Sequence, residues 1–425
     1  MEQKYKLSLY NYNNNRYLIN NLMRKVYIVA AKRTAIGKFL GSASSLTPGK
    51  LAAPVIKNII KETGVNPSSI DEVIVGNVLS AAQGQGVGRQ AAIYSDIPAE
   101  VPAYSINMVC GSGMKAVMNG YNSILSGSAN LVIAGGTESM SNAGFVLPAS
   151  TRNGIKMGNI NAIDHMVYDG LTDVYNGYHM GITAENVAEK YSITREAQDA
   201  FSANSQAKAI AAVDSGAFKN EIVPIEIVGR KETTVFDTDE FPNRGSNLEK
   251  LAKLRPAFKK DGTVTAGNAS GINDGASFVM LASEFMVSEL KLTPLAEIVA
   301  VGQGGVDPSV MGLGPVPAIW NVLRNADMEL KDIDILELNE AFAAQSLGVM
   351  HELIENHYGI TKEWLDERTN LNGGAIALGH PIGASGNRIL VTLVHLLKAK
   401  NKQYGLASLC IGGGMGTAIV VKNLL

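Results

Sequence analysis

The 425-residue chain has only two cysteines, Cys110 and Cys410, and they lie far apart in the sequence. A disulfide framework or a zinc site needs more ligands at closer spacing, so the sequence predicts two free thiols and no metal site. Free thiols favour a reducing compartment, and we therefore expect a cytoplasmic protein.

Charge of either sign is also scarce, because charged residues make up 18% of the chain and leave a formal net charge of −2. Proteins that bind nucleic acid or anionic membranes usually carry a basic excess, which this sequence lacks. No apolar run reaches the roughly 20 residues that a membrane-spanning helix needs. We expect no nucleic acid and no membrane among the partners, and a globular chain of two or three domains with a large core.

The first 22 residues are rich in asparagine and contain no apolar segment of the kind found in secretory signals. Such a composition buries little apolar surface, so the sequence predicts a disordered extension over residues 1–22. Residues 26–31 (VYIVAA) instead predict a strand that opens the first domain.

Cys110 lies within residues 107–115 (NMVCGSGMK), where an apolar segment meets a Gly-Ser-Gly turn. Apolar residues recur at helical spacing after the turn, so Cys110 is predicted just before a helix N-terminus. The free N–H groups and the positive dipole end at such a position favour thiolate over thiol. A single cysteine in this setting is still more often a buried structural residue than a nucleophile.

Three further stretches change this balance. Residues 372–386 (NGGAIALGHPIGASG) place His380 in a glycine-rich loop, and residues 410–416 (CIGGGMG) place Cys410 at a strand end before a glycine run. Together with residues 339–342 (NEAF), and in this order, the motifs resemble those of the thiolase family from about residue 23 to the end of the chain. Within the family, the likeness is greatest to short-chain members that form acetoacetyl-CoA.

Strands that alternate with helices predict an α/β layer architecture, and the second half of the chain repeats the plan of the first. Residues 332–339 parallel 71–77, and residues 383–386 parallel 110–113. The resemblance implies a five-layer α-β-α-β-α fold made of two α/β halves plus an inserted loop domain that carries the coenzyme A site. The expected segments are an N-terminal half at 23–141 and 272–292, the loop domain at 142–271, and a C-terminal half at 293–425.

The resemblance also implies the activity: reversible Claisen condensation of two acetyl-CoA into acetoacetyl-CoA and CoA through an acetyl-cysteine intermediate. Cys110 is the expected nucleophile, His380 its base, and Cys410 the base that takes the α-proton. The N–H groups of Cys110 and Gly412 are expected to hold the oxyanion of the acyl-enzyme, and Asn339, through a water, with His380 to hold the enolate. The glycine run after Cys410 is expected to let the backbone approach this closely.

Coenzyme A thioesters are then substrates, and no cofactor is expected. Residues 83–89 are rich in glycine, but their spacing does not match a dinucleotide-binding fingerprint. By resemblance, the segment 269–271 lies along the pantetheine arm, and Met311 and Phe342 shorten the acyl pocket. Arg244, an expected adenine contact, stands one position later than the family usually has it. The full set of expected substrate contacts is Leu171, His179, Met180, Arg244, Ala269, Ser270, Gly271, Met311 and Phe342.

Three alternatives remain beside this interpretation. A ketoacyl synthase of the same fold is disfavoured by the second cysteine, Cys410, before its glycine run. A non-catalytic lipid-binding module of the same fold is disfavoured because all four catalytic positions are kept. A 3-ketoacyl-CoA thiolase of broader chain length stays open. The resemblance further implies a homotetramer or a homodimer, and residues 351–370 are expected to form an extended helix and a surface loop.

Overall fold

A computed structural model describes residues 24–229, 232–356 and 359–425, and the predicted disordered extension at 1–22 lies outside them. Sixteen strands are present in this described part of the chain. They are β1 Val26–Arg33, β2 Gly37–Lys38, β3 Glu72–Gly76, β4 Ala103–Ile106, β5 Leu131–Ser139, β6 Phe145–Val146, β7 Ile163–Asp164, β8 Thr172–Asp173, β9 Tyr178–His179, β10 Ile225–Val228, β11 Thr233–Phe236, β12 Asn273–Ser283, β13 Ala296–Gly305, β14 Ile335–Leu338, β15 Tyr404–Ile411 and β16 Met415–Asn423.

The helices alternate with these strands in both halves. They are α1 Pro48–Thr63, α2 Val87–Tyr94, α3 Ser112–Ser126, α4 Met180–Lys190, α5 Arg195–Ser215, α6 Leu248–Ala252, α7 Glu284–Glu289, α8 Pro315–Ala326, α9 Ala343–Asn356, α10 Lys362–Asp366, α11 Ala375–Leu378 and α12 Ile382–Lys400. Short turns of 3-10 helix lie at Ser42–Ser45, Pro67–Ser69, Met140–Asn142, Ala149–Asn153, Pro308–Leu313 and Leu330–Asp332, and one π-helical turn at Met166–Gly170. In the described residues, no helix is both long and apolar enough to cross a membrane.

Each half contributes one mixed sheet. The first half has the order β1-β12-β5-β3-β4 and the second has β13-β16-β15-β14, with parallel pairs at β3–β4, β3–β5 and β14–β15 and antiparallel pairs elsewhere. The two sheets are also joined edge to edge, because β1 pairs with β13 over two residues, Tyr27 with Glu297 and Ile28 with Ala296. The two sheet layers expected from the resemblance are therefore hydrogen-bonded to each other at one edge.

The side-chain alternation of the strands divides the core into layers. In β3, Val73 and Val75 pack outward against α1 and α2, whereas Ile74 packs inward against α3 and α12. The second sheet packs inward on the same two helices and outward against α8 and α9. Helix, sheet, helix pair, sheet and helix therefore follow one another, as the five-layer expectation requires.

Local sequence signals explain where several helices begin and end. Pro48 occupies the first position of α1, where its missing N–H costs nothing, and Gly64 ends the helix with a φ of 67°. Thr194 caps α5, because its side chain accepts a hydrogen bond from the N–H of Ala197. Both helices therefore begin at residue types that favour a helix N-terminus, and α1 ends at one that favours a C-terminus.

The inserted segment between β5 and β12 carries α4, α5, α6 and three two-stranded ribbons. A buried ion triad fastens it to the core. The guanidinium of Arg33 in β1 lies 2.7 Å from a carboxylate oxygen of Glu221 and 2.7 Å from one of Asp239, and all three side chains are almost completely buried. Removing one member of such a set leaves the others buried without their ion-pair partner, which is strongly destabilising.

The central helices α3 and α12 start side by side. A Cβ on Gly113 would lie 2.8 Å from the carbonyl oxygen of Gly383, and one on Gly386 would lie 2.7 Å from the amide nitrogen of Met114. Glycine is therefore required for this contact. The repeat is less regular than residues 110–113 and 383–386 predict, because α3 begins two residues after Cys110 whereas α12 begins one residue before Gly383.

Candidate active site

A cavity of about 1290 Å³ opens between the two halves and the inserted segment. It is lined by all but one of the fourteen residues that the sequence singled out, and Asn339 is the exception. The lining residues from that set are Cys110, Leu171, His179, Met180, Arg244, Ala269, Ser270, Gly271, Met311, Phe342, His380, Cys410 and Gly412. The structure thus brings together residues that lie up to 302 positions apart in the chain, Cys110 and Gly412.

Cys110 stands on a tight turn between β4 and α3. Val109, just before it, has a φ of 46°, a conformation that costs a β-branched residue about 1–3 kcal/mol. Ser112 holds the turn closed, because its hydroxyl donates to the carbonyl of Val109 at 2.6 Å and accepts from the N–H of Met108 at 2.8 Å. The sulfur is thereby presented to the cavity by a fixed backbone.

Burial raises the pKa of the Cys110 thiol to about 11, and the nearby carboxylate of Glu138 adds to the effect. The backbone N–H groups of Gly412 and of Cys110 itself face the sulfur and lower the pKa by less. The expectation that the helix terminus favours the thiolate is therefore wrong for the resting protein, because desolvation outweighs these donors. Cys110 starts as a thiol and needs a base at the moment of attack.

His380 supplies a neutral imidazole. Burial, together with the charge of Arg388, lowers the pKa of His380 to about 4. Its Nδ1 lies 2.6 Å from the Ser385 hydroxyl, which donates in turn to the carbonyl of Pro381 at 2.9 Å. Both contacts are satisfied when Nδ1 carries the proton, which leaves the Nε2 lone pair free, and within the described residues Nε2 has no hydrogen-bond partner.

Cys410 occupies the end of β15 and is 1% exposed. Burial raises the pKa of its thiol, and the proximity of Cys110 raises it further, so the two sulfurs interact electrostatically across the cavity. Its neighbours in the apolar cluster include Met180, Met311 and Phe342. Acetylation of Cys110 would prevent that sulfur from ionising and so remove one of the two causes that raise the pKa of Cys410.

Asn339 lies behind the cavity wall. Its backbone N–H donates to the carbonyl of Ser408 at 3.0 Å, which fixes the end of β14 against β15. Both polar atoms of its side chain are buried and unpaired within the described residues. A role through an intermediate water, as the resemblance implies, fits a side chain that is buried, unpaired and set back from the cavity lining.

Gly412 was expected to be a glycine because the backbone must approach the substrate closely. A Cβ there would meet Met180 and Val109 only at an ordinary 3.5 Å, so space in the protein alone does not require glycine at this position. The requirement falls on Gly413 and Gly414, which have φ values of 86° and 85°. These two residues turn the chain back so that the N–H of Gly412 faces Cys110.

His179 caps α4, because its Nδ1 accepts a hydrogen bond from the N–H of Gly181 at 3.0 Å. Burial lowers the pKa of His179, so the ring is neutral and carries its proton on Nε2. The ring stacks on Phe258 at 4.6 Å, and Phe258 meets Phe342 edge-on at 6.2 Å. This aromatic group forms one wall of the cavity.

The segment 269–271 is fixed to the loop that carries the NEAF motif. The N–H of Ser270 donates to the carbonyl of Ala341 at 2.9 Å, and Ala269 forms an isolated bridge with Phe342. A Cβ on Gly271 would lie 2.3 Å from the ring of Phe241, so this position admits only glycine without rearrangement. The three residues of this segment line the cavity.

The outer part of the cavity carries positive charge from Lys38, Arg244 and Lys250. The guanidinium of Arg244 is exposed and pairs with Asp214 at 3.0 Å, while the ammonium of Lys250 donates to the carbonyl of Gly245 at 2.8 Å. The shift of Arg244 by one position therefore does not remove it from the cavity.

More than half of the residues that line the cavity were not singled out from the sequence. The inserted segment contributes Gln206, Phe241, Leu251, Leu254 and Phe258, and Met140 comes from the turn after β5. Except for Phe241, which forms a Phe-Pro pair with Pro242 shortly before Arg244, none of these residues stands in a motif. They lie on loops and helix faces whose direction depends on tertiary packing.

Comparison with known proteins agrees with this geometry. The family descriptions "Thiolase, N-terminal domain" and "Thiolase, C-terminal domain" match residues 26–285 and 292–423. The chain is 53% identical to the acetyl-CoA acetyltransferase of Cupriavidus necator and 52% identical to that of Pseudomonas aeruginosa, in each case over 94% of this chain and 100% of the relative.

Two solved structures extend the comparison to the fold. The acetyl-CoA acetyltransferase of Bacillus anthracis superposes with a TM-score of 0.90 at 43% identity, over 95% of this chain and 99% of that one. Human mitochondrial 3-ketoacyl-CoA thiolase in complex with CoA superposes with a TM-score of 0.89 at 43% identity, over 95% and 98% of the two chains. With both domains matched and relatives of more than 50% identity over almost its whole length, the chain belongs to the thiolase family.

Proposed function

We propose that the protein is an acetyl-CoA C-acetyltransferase, which joins two acetyl-CoA into acetoacetyl-CoA and CoA and runs the reverse reaction. The observation that carries the proposal is the convergence of Cys110, His380 and Cys410 on one cavity. The names of the relatives from Cupriavidus necator, Pseudomonas aeruginosa and Chromobacterium violaceum support the same substrate class.

The first half-reaction is acyl transfer to Cys110. The thiol proton passes to Nε2 of His380 as the sulfur attacks the thioester carbonyl. The N–H groups of Cys110 and Gly412 face this sulfur and receive the oxyanion that forms beside it. Collapse expels CoA thiolate, which takes the proton back from His380 and leaves as CoA. A thiol and a thioester are exchanged, so the step is close to balanced in energy.

The second half-reaction begins with Cys410. Its proton passes to His380, and the resulting thiolate removes a proton from the methyl carbon of the second acetyl-CoA. The enolate attacks the acetyl group on Cys110, and the tetrahedral intermediate expels the Cys110 thiolate, which is protonated by His380. Asn339, through a water, and the ring of His380 stabilise the enolate oxygen. Cys110, Cys410 and His380 thereby regain their starting protonation states, because the proton that left with CoA is replaced by the one taken from the methyl group.

Different parts of the cavity recognise the nucleotide, the pantetheine arm and the acyl group of the substrate. The cations Lys38, Arg244 and Lys250 face the outer part, where they suit the phosphates of the nucleotide, and the segment 269–271 offers backbone groups to the amides of the pantetheine arm. The sulfur end reaches Cys110 between Met180 and Met311. Leu171, His179 and Phe342 complete the acyl end and restrict it to short groups.

The proposal includes a reducing, cytoplasmic location, because both thiols must remain free for the two half-reactions. It also includes a homodimer or homotetramer. β4 is the last strand of the first-half sheet, and its Tyr104 is 40% exposed, so its outer edge is available for pairing with a second copy.

A second candidate function is thiolysis of longer 3-ketoacyl-CoA substrates. It is favoured by the likeness to the human mitochondrial 3-ketoacyl-CoA thiolase and by the size of the cavity. One experiment tests both. CoA and magnesium-bound acetoacetyl-CoA are mixed with the protein, and loss of the enolate absorbance is followed, then repeated with 3-ketoacyl-CoA of increasing length. Failure to cleave any of them would contradict both functions.

A further inference from the structure

Glu138 lies near the end of β5 and is completely buried. Its carboxylate accepts four hydrogen bonds. Oε1 accepts from the Asn77 side-chain amide at 2.9 Å and from the N–H of Leu79 at 3.1 Å, and Oε2 accepts from the N–H of Val78 at 3.0 Å and of Gly383 at 2.9 Å. Three donors belong to the loop after β3 in the first half of the chain, and the fourth belongs to the first turn of α12 in the second half.

A carboxylate has about four lone-pair sites, and all of them are used here. Every neighbour bonded to Glu138 is an N–H donor, so a protonated carboxyl would turn its O–H against one of them and lose that bond. The fit is close on the other side as well, because a Cβ on Gly383 would lie only 2.5 Å from Oε2. The arrangement therefore suits the ionised form of Glu138 alone.

The residues held by this carboxylate surround the reacting groups. Val78, Leu79 and Ile382 belong to one apolar cluster, against which Cys110 and Leu171 pack. On the other side, α12 begins two residues after His380, and Ser385 in the same turn holds the His380 ring. A shift of this turn relative to the 77–79 loop would change the distance between the imidazole and the thiol.

We propose that Glu138 is a positioning residue for acyl transfer: its ionised carboxylate ties the start of α12 to the 77–79 loop and so holds His380 in line with Cys110. The inference rests on the proposed function, because it concerns the same half-reaction. Glu138 touches no substrate in this account and acts through the two segments that it joins.

The proposal has a consequence for pH. Burial raises the pKa of Glu138 to about 7, and the nearby carboxylate of Asp274 adds to the rise, while the donors from Leu79, Val78 and Gly383 oppose it. The other group that faces it from the site is the Cys110 thiol, whose pKa of about 11 keeps it neutral near pH 7. The pKa of His380, about 4, is too low to titrate there. Acetylation should therefore slow as pH falls through about 7.

The experiment measures the rate of Cys110 acetylation by acetyl-CoA in a single turnover, by mass spectrometry, on both sides of pH 7. Glu138→Gln keeps the shape but is never ionised and faces N–H groups with its own amide donors. We expect it to be slowed by about ten- to a hundredfold above pH 7, in line with the cost of a misplacement of about 1 Å, with KM nearly unchanged and no fall below pH 7. Glu138→Asp keeps an ionisable carboxyl group. It should therefore recover part of the acetylation rate, and the rate should again decrease as the pH is lowered.

Two further variants separate this role from a general loss of stability. Asn77→Ala removes one donor to the carboxylate and should move the fall in rate to higher pH, because the charged form loses a hydrogen bond. Glu185→Gln is the matched control: Glu185 is also buried and accepts from the N–H groups of Thr263 and Val264. This control should lower the melting temperature while the pH profile keeps its shape.

The outcomes separate a failure of the proposed function from a failure of the inference about Glu138. If the unmodified protein is not acetylated at any pH, the proposed function fails. If it is acetylated but Glu138→Gln retains the same fall near pH 7, the inference about Glu138 is wrong. Should Glu138→Gln fail to fold, Asn77→Ala decides, because a profile that does not move would overturn the inference and an upward shift would support it.

Discussion

Ser385 offers a direct test of how His380 is made into a base. Its hydroxyl accepts a hydrogen bond from Nδ1–H of His380 at 2.6 Å and donates one to the carbonyl of Pro381 at 2.9 Å. Ser385→Ala would leave Nδ1–H buried and unpaired. The loss of such a bond costs about 1–3 kcal/mol. The cost is larger for the imidazolium that forms when His380 takes the Cys110 proton than for the neutral imidazole, because charged donors make stronger hydrogen bonds. We expect acetylation of Cys110 to slow by about ten- to a hundredfold, since 1.4 kcal/mol corresponds to a factor of ten.

The matched control is Ser202→Ala in α5. Ser202 is likewise fully buried and donates to a carbonyl four residues earlier, that of Gln198 at 2.8 Å, but it has no contact with the cavity. Both variants should lose similar stability in thermal unfolding, and only Ser385→Ala should lose the single-turnover rate. Equal acetylation rates in the two variants would refute the assignment of the His380 tautomer.

Three further outcomes are expected. If Met180, Met311 and Phe342 restrict the acyl end, kcat/KM for thiolysis should be much higher with acetoacetyl-CoA than with 3-ketohexadecanoyl-CoA, and comparable values would exclude the short-chain assignment. Lys250→Ala should raise KM for acetyl-CoA several-fold with little change in kcat, because it removes a charge from the cavity mouth, and an unchanged KM would remove Lys250 from the CoA site. Arg33→Met should lower the free energy of unfolding in urea by about 3–5 kcal/mol, since Glu221 and Asp239 lose their buried partner; a change below about 1 kcal/mol would contradict the importance of the triad.

The meeting of Cys110, His380 and Cys410 at one cavity could be predicted, because each stands in a glycine-rich motif shared with the family. The glycines around Cys110, His380 and Cys410 permit turns and close approaches that other residues do not, and they mark the positions where reactive side chains stand. The same holds for α1, where Pro48 and Gly64 mark the ends.

The features that could not be predicted from the sequence depend on the tertiary environment. The sequence places Cys110 before a helix but does not reveal how deeply it is buried, and burial reverses the expected direction of its pKa. Val109 gives no local sign of a left-handed conformation, because a β-branched residue normally avoids one. Glu138 was not singled out either, since nothing nearby in the sequence shows that donors from residues 77–79 and Gly383 meet at its carboxylate.

The division of labour between the two cysteines is the central claim. Its most direct test is the reaction of Cys410→Ala with acetyl-CoA, followed by the mass of the peptide that contains Cys110. We expect this variant to gain an acetyl group on Cys110, because His380 and the N–H groups of Cys110 and Gly412 remain, and then to stall without exchanging the methyl hydrogens of acetyl-CoA with solvent. Absence of the acetyl group, in a variant that is otherwise folded, would contradict the account and assign Cys410 to activation of the nucleophile.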